Sequence, residues 1–304
     1  MLFRSGAAIK ALTGLAPESL KPLIQDFLLD SSPDVRMASV AFQVSQDPNA
    51  AVQSLKKAIG SKVVRERQFA WDQLAIITTD EAKAAIARGV ENYLAGTLER
   101  DCWINVVEAA NGNLSGDTKK RFEEWQAKLE TIKESNAKKH FEDCIDGGDV
   151  ELGRSLFFTR SSLSCVRCHK VGGTGGEVGP NLSALGSQKT REYLLEAIVA
   201  PSATIAQGFE TVVILDEDGK TISGILKTED EKNLTLMDSQ GAMVTIPIES
   251  IDERRKGLSS MPVDLLKYLN KRELRDLVAY LSTLDGTAAS VVGPNEIQGG
   301  HKIK

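Results

Sequence analysis

At 304 residues the chain is long enough for two domains that each bury a core of their own. With 41% hydrophobic residues, 26% charged and a formal net charge of -5, it has the composition of a globular protein and offers no electrostatic reason to expect nucleic acid or an anionic membrane as partner. No run approaches the roughly 18 apolar residues of a transmembrane helix, and four cysteines are too few for a disulfide-built scaffold.

The opening, MLFRSGAAIKALTG, lacks a sustained apolar core and a cleavage site, so it does not read as a signal peptide. From there to about residue 138 the pattern is helical. PESLKPLIQDFLLD, SSPDVRMASVAFQVSQ, NAAVQSLKKAIG, KVVRERQFAWDQLAIIT, TDEAKAAIARGVENYLAG and LERDCWINVVEAA carry apolar residues at three-to-four spacing between short polar breaks. PDVRMASVAF and KVVRERQFAWDQL resemble consecutive inner segments of HEAT-type repeats, which implies a stacked α-solenoid over residues 1–138. Trp71, Trp103 and Trp125 recur on these helices and read as core or inter-repeat contacts, and Cys102 as a small buried hydrophobe. The charged run GDTKKRFEEWQAKLETIKESNAKKH reads as the last helix and a connector, with a boundary near residues 138–148. His140 reads there as a solvated helix-end side chain.

Beyond the boundary VELGRSLFF predicts a short helix, followed by CVRCH, a Gly-rich loop KVGGTGGEVGPNLSALG and a helix in TREYLLEAIVA. ETVVILD, TISGILKT, NLTLMD and AMVTIPI then switch to the β-branched composition of a small antiparallel meander, about residues 209–248. IDERRKGLSSMP reads as a polar run, KRELRDLVAYLSTL as an amphipathic helix, and residues 285–304 as a disordered tail. The fold class expected is mainly α, with a helical second domain over 146–284 that carries a β insertion.

Three of the seven cysteine and histidine side chains fall in the pentapeptide Cys165 to His169. Two cysteines at i and i+3 followed by histidine match the attachment signature of c-type haem. Both sulfurs can reach the porphyrin vinyl groups from one turn, and the next side chain can turn its imidazole to the iron. CxxC spacing also serves zinc sites and dithiol redox centres, so the motif by itself leaves these open. A set of Cys144, Cys165, Cys168 and His169, with His140 near, would supply zinc ligands and make the chain a HEAT-type interaction scaffold. A haem iron with one imidazole takes a methionine thioether as a common second ligand. Met261 in SSMP stands in a polar setting, whereas Met237 and Met243 lie on expected strands and are explained by packing.

The order helix, CxxCH, GPNL loop, helix, MP, helix resembles class I cytochrome c. That likeness implies a contact of Gly153 and Phe157 on the first helix with Leu277 and Tyr280 on the last. It also implies that Pro180 offers its carbonyl to the second nitrogen of His169, that Leu182 and Leu185 line the haem edge, and that His169 and Met261 are the axial ligands. GGDVELGRSLFF, CVRCHKVGGTGGEVGPNLSALG, REYLLEAIVAPSATIAQGFETVVI, SSMP and RELRDLVAYL together are similar to the haem-binding c-type domain of large planctomycete-type multidomain proteins. There the domain follows HEAT-like repeats. The resemblance implies one covalently bound haem c, electron transfer in a periplasmic or otherwise exported protein, and a redox partner protein or a fused quinoprotein-type dehydrogenase domain as donor. It also implies that the chain is a fragment of a longer exported protein. A further protein partner on the solenoid is expected, but no enzyme activity of the chain itself, since GxSxG, P-loop, HExxH and dinucleotide motifs are absent from the sequence.

Overall fold

In the computed structural model residues 5–287 are described, and the chain divides into two compact units, residues 1–131 and 132–304. The chain is mainly helical, with antiparallel sheet in the second unit. The expectation for the tail, apart from residues 285–287, lies outside the described residues.

The apolar spacing of the first unit yields helices Gly6–Leu15, Pro33–Gln46, Pro48–Ile59, Val64–Ala75, Asp80–Leu94, Trp103–Ala110 and Gly116–Thr131, with PESLKPLIQDF broken into three short turns. Proline sits in the first turn of two of them, where its missing N–H costs nothing, and Asp47 and Thr79 accept from the N–H groups of Ala50 and Ala82. Alternate helices pack together: Pro33–Gln46 on Val64–Ala75 on Trp103–Ala110, and Pro48–Ile59 on Asp80–Leu94 on Gly116–Thr131. Val52, Leu55, Trp71, Leu74, Ile86 and Val90 form the core between the two rows. Burial of such side chains contributes about 1.5–3 kcal/mol each. Polar rungs tie successive helices of one row: Arg36 Nε donates to Glu66 at 2.7 Å, Arg67 pairs with Asp101, and Asn105 Nδ2 donates to Asp72 at 2.8 Å. Trp71 is buried and fills the space a Cβ on Gly89 would occupy. Trp103 and Trp125 both meet Tyr93 edge-on. Cys102 is buried, and desolvation pushes its thiol up to about 12.

The second unit runs from residue 132. The long charged helix stops at Thr131, and the short turn Ala137–His140 packs on helix Arg191–Val199. His140 is therefore buried, its ring edge-on to Phe141 at 4.6 Å, and not solvated as its helix-end position suggests. The scaffold of the unit is the pair Val150–Thr159 and Lys271–Ser282. Asp149 caps the first by accepting from Glu151 and Leu152 N–H, and an Asn270–Glu273 capping box opens the second. These helices cross at backbone distance, since a Cβ on Gly153 would lie 1.9 Å from the carbonyl oxygen of Asp276. Phe157 meets Tyr280 with ring centroids 5.8 Å apart, and Leu277 is buried beside them.

The Gly-rich loop contains a two-residue ribbon, β1 (Lys170–Val171) and β2 (Thr174–Gly175). The inserted sheet has five strands: β3 (Thr211–Asp216), β4 (Thr221–Glu229), β5 (Asn233–Met237), β6 (Met243–Pro247) and β7 (Ile251–Lys256), in the order β6-β5-β4-β3-β7. Period-two alternation puts Val212, Ile214, Leu234, Leu236 and Ile246 on one buried face. Asp216, Asp230 and Asp238 each accept backbone N–H groups in the three hairpin turns. The insertion thus extends past residue 248: the run IDERRK is a fifth strand that returns beside the first, pairing Val213 with Arg255. Met237 is buried as expected, whereas Met243 on the edge strand is 61% exposed and is not packing material.

Candidate functional site

Residues Cys165–Cys168 form a single helical turn, entered through Ser164 in the left-handed conformation (φ 51°). The turn closes when His169 N–H donates to the Cys165 carbonyl at 2.9 Å. Both cysteines are free thiols, half-buried on the same turn. Burial pushes the Cys165 thiol up to about 11, which keeps it protonated at neutral pH.

The glycine-rich segment after the turn is lashed to it by backbone hydrogen bonds. Gly176 N–H donates to Val166 O at 2.8 Å, Gly179 N–H to Cys168 O at 2.7 Å and Leu182 N–H to Lys170 O at 2.8 Å. Such close approach needs the missing side chains. A Cβ would fall 2.1 Å from Arg167 O at Gly176, 2.1 Å from His169 O at Gly175 and 2.6 Å from the His169 ring at Gly179. The result brings Pro180 O to 3.0 Å from His169 Nδ1. A carbonyl can only accept, so Nδ1 carries the proton and the Nε2 lone pair is left for a metal. Desolvation lowers the histidine's affinity for a second proton, partly offset by the Pro180 bond, which favours the neutral, ligating form.

Among the other expected residues, Leu182 is buried and Leu185 half-buried at the start of the turn Leu185–Gln188. Met261 is half-buried between the sheet and the last helix, and its N–H donates to Ser259 Oγ at 3.2 Å. The neighbours Leu258 and Val263 are exposed apolar side chains, so the setting of Met261 is less polar than the SSMP string suggests. Lys189 lies over the Tyr193 ring, and Arg191 engages Ile145 O and Asp146, which gives both cations local structural partners. Cys144 is fully buried beside Asp143, with its thiol pushed well above its ordinary value. Among the described residues no three His, Cys, Asp or Glu side chains converge as a metal site, so the cysteine-rich zinc arrangement does not assemble. The hydroxyl partners of the Met261 segment, Ser202 and Thr211, carry no sequence signal; only the folded sheet brings them there.

The turn thus carries two thiols and a neutral imidazole oriented by a fixed carbonyl. Residues 150–235 match the family model described as Cytochrome c, a stretch that starts at the first scaffold helix, contains CVRCH and ends within β5. Among curated proteins, none matches the chain. A cytochrome c domain carries covalently bound haem c, and the segment is a haem-binding electron-transfer module. The residues present fit that group: both thiols are unpaired, and the imidazole holds its Nδ1 proton on Pro180. No helix of the described residues is long and apolar enough to cross a membrane.

Proposed function

We propose that the second unit is a monohaem cytochrome in which Cys165 and Cys168 hold the porphyrin and His169 and Met261 are the axial iron ligands. The observation that carries the reading is the 3.0 Å contact between His169 Nδ1 and Pro180 O on the same turn as two free thiols. Cys165 and Cys168 would each hold the porphyrin through one thioether, a bond that a thiol and a vinyl group can form without an oxidant. Bound there, haem c supplies a one-electron couple, and the chain sets its potential through the axial ligands and burial. Pro180 orients His169, while Leu182 and Leu185 exclude water from the porphyrin edge.

The finer class is that of the planctomycete-type haem-binding domain. Stacked alternate helices and their polar rungs support HEAT-like repeats in the first unit, offering a surface for a protein partner. The division proposed places the repeats in the first unit and the cytochrome within the second, over 146–284. Haem attachment of this type belongs outside the cytoplasm, so the protein works in the periplasm or is otherwise exported. It accepts electrons from a redox partner or a fused quinoprotein-type dehydrogenase. Expression in a periplasm with cytochrome maturation machinery tests the reading. Haem that stays with the denatured wild-type chain, and is lost from a Cys165→Ala, Cys168→Ala variant, is expected; a colourless chain of unmodified mass would end it.

A further inference from the structure

The five-stranded insertion begins and ends at one place. Gly257 N–H donates to Thr211 O at 2.8 Å, and a Cβ on Gly257 would lie 2.7 Å from Thr211 Cγ2, so the chain leaves the sheet pressed against the residue where it entered. Three residues further on, the buried Thr211 Oγ1 is 3.2 Å from Ser260 Oγ. From the other side Ser259 N–H donates to Ser202 Oγ at 3.1 Å, in the bend that follows helix Arg191–Val199. Ser259 Oγ in turn accepts the N–H of Met261 at 3.2 Å. The segment before the methionine is therefore held by hydroxyls on both flanks and by the closed end of the sheet. Its apolar neighbours Leu258 and Val263 are 75% and 65% exposed and give it little packing to rest on.

We infer that Ser202 and Thr211 are positioning residues for Met261, and that the β insertion is a clamp which presents this thioether to the iron. The inference rests on Met261 being the axial ligand. A thioether is a weak ligand on a flexible side chain, so its hold on iron depends on how far the backbone beneath it is fixed beforehand. Without the two hydroxyls the segment samples more conformations, and the sixth position opens to competing ligands.

The test uses the full haem-loaded chain. In Ser202→Ala combined with Thr211→Val, which removes both hydroxyls with little change of volume, imidazole should bind the oxidised haem about tenfold more tightly than in wild type, within the range of two ordinary hydrogen bonds lost. The midpoint potential should shift towards that of Met261→Ala, and the thioether-to-iron absorption should weaken. Thr211→Ser, which keeps the hydroxyl, should restore both relative to Thr211→Val. A double variant with wild-type imidazole affinity and potential, beside a Met261→Ala variant that changes both, overturns the clamp alone. If Met261→Ala itself leaves spectrum and potential unchanged, the ligand assignment and the clamp fall together.

Discussion

Gly179 shows how much of the site depends on a single missing side chain. Its Cβ would sit 2.6 Å from Cε1 of His169, so Gly179→Ala must turn the ring away from Pro180 or push the loop off the turn. Covalent haem should survive, because the cysteines are untouched, while the absorption spectrum shows a weakened histidine ligand and added imidazole binds more readily. An unchanged spectrum would mean that the loop yields without cost. Asp276 is the second instructive residue, a buried carboxylate that accepts from Asp149 N–H at 2.8 Å. Desolvation raises its proton affinity above the ordinary range despite that bond and the nearby Arg275. The folded state therefore holds the proton more tightly than the unfolded chain. The associated stability is complete below the unfolded value and is lost as pH rises through the folded one. Asp276→Asn, which retains the acceptor, should be at least as stable as wild type at neutral pH and should flatten the fall in stability that wild type shows as pH rises above the ordinary carboxylate range, read in denaturant titrations. Asp276→Ala, which removes the acceptor of the Asp149 N–H, should cost about 1 kcal/mol.

At the scale of elements, the crossing of Val150–Thr159 and Lys271–Ser282 is set by Gly153. Gly153→Ala places a methyl 1.9 Å from a carbonyl oxygen and should cost about 2 kcal/mol or more, read as a lower urea midpoint of the haem-bearing unit. The sequence makes this pair legible because VELGRSLFF and KRELRDLVAYLSTL each read locally as a helix, while the Asp149 cap and the Asn270–Glu273 box emerge only in the structure. CVRCH is legible for the same reason: five adjacent residues carry their own geometry. The fifth strand is not legible, because Asp252 to Lys256 lie exposed on a sheet edge and have no apolar alternation to betray a period of two. Burial decided by distant partners escapes as well. His140 looks like a helix end in solvent until helix Arg191–Val199 covers it, and Met243 looks like core until its strand takes an edge. Ser202 and Ser259, 57 positions apart, meet only through the fold.

For the whole molecule, two compact units with separate cores predict two unfolding transitions. Glu66 supplies the test in the first: buried, it accepts from Arg36 and Ser61, and these bonds outweigh desolvation to hold its carboxyl below the usual range. Glu66→Ala should lower the transition of the helical unit by about 1–3 kcal/mol, since it removes the acceptor shared by half-buried Arg36 and Ser61, and leave the haem spectrum and its melting unchanged. Calorimetry alongside haem absorbance distinguishes this from a single cooperative unit, in which both signals would move together.

The neighbouring entry and exit of the sheet, at Thr211 and Gly257, have an evolutionary consequence. A stretch whose two doorposts stand side by side can be lengthened, shortened or exchanged for another without displacing the chain on either side of it. Relatives could therefore differ widely in what they carry between these posts while keeping the same threshold, and a designer could graft a sensor or a binding loop there without rebuilding the ground beneath.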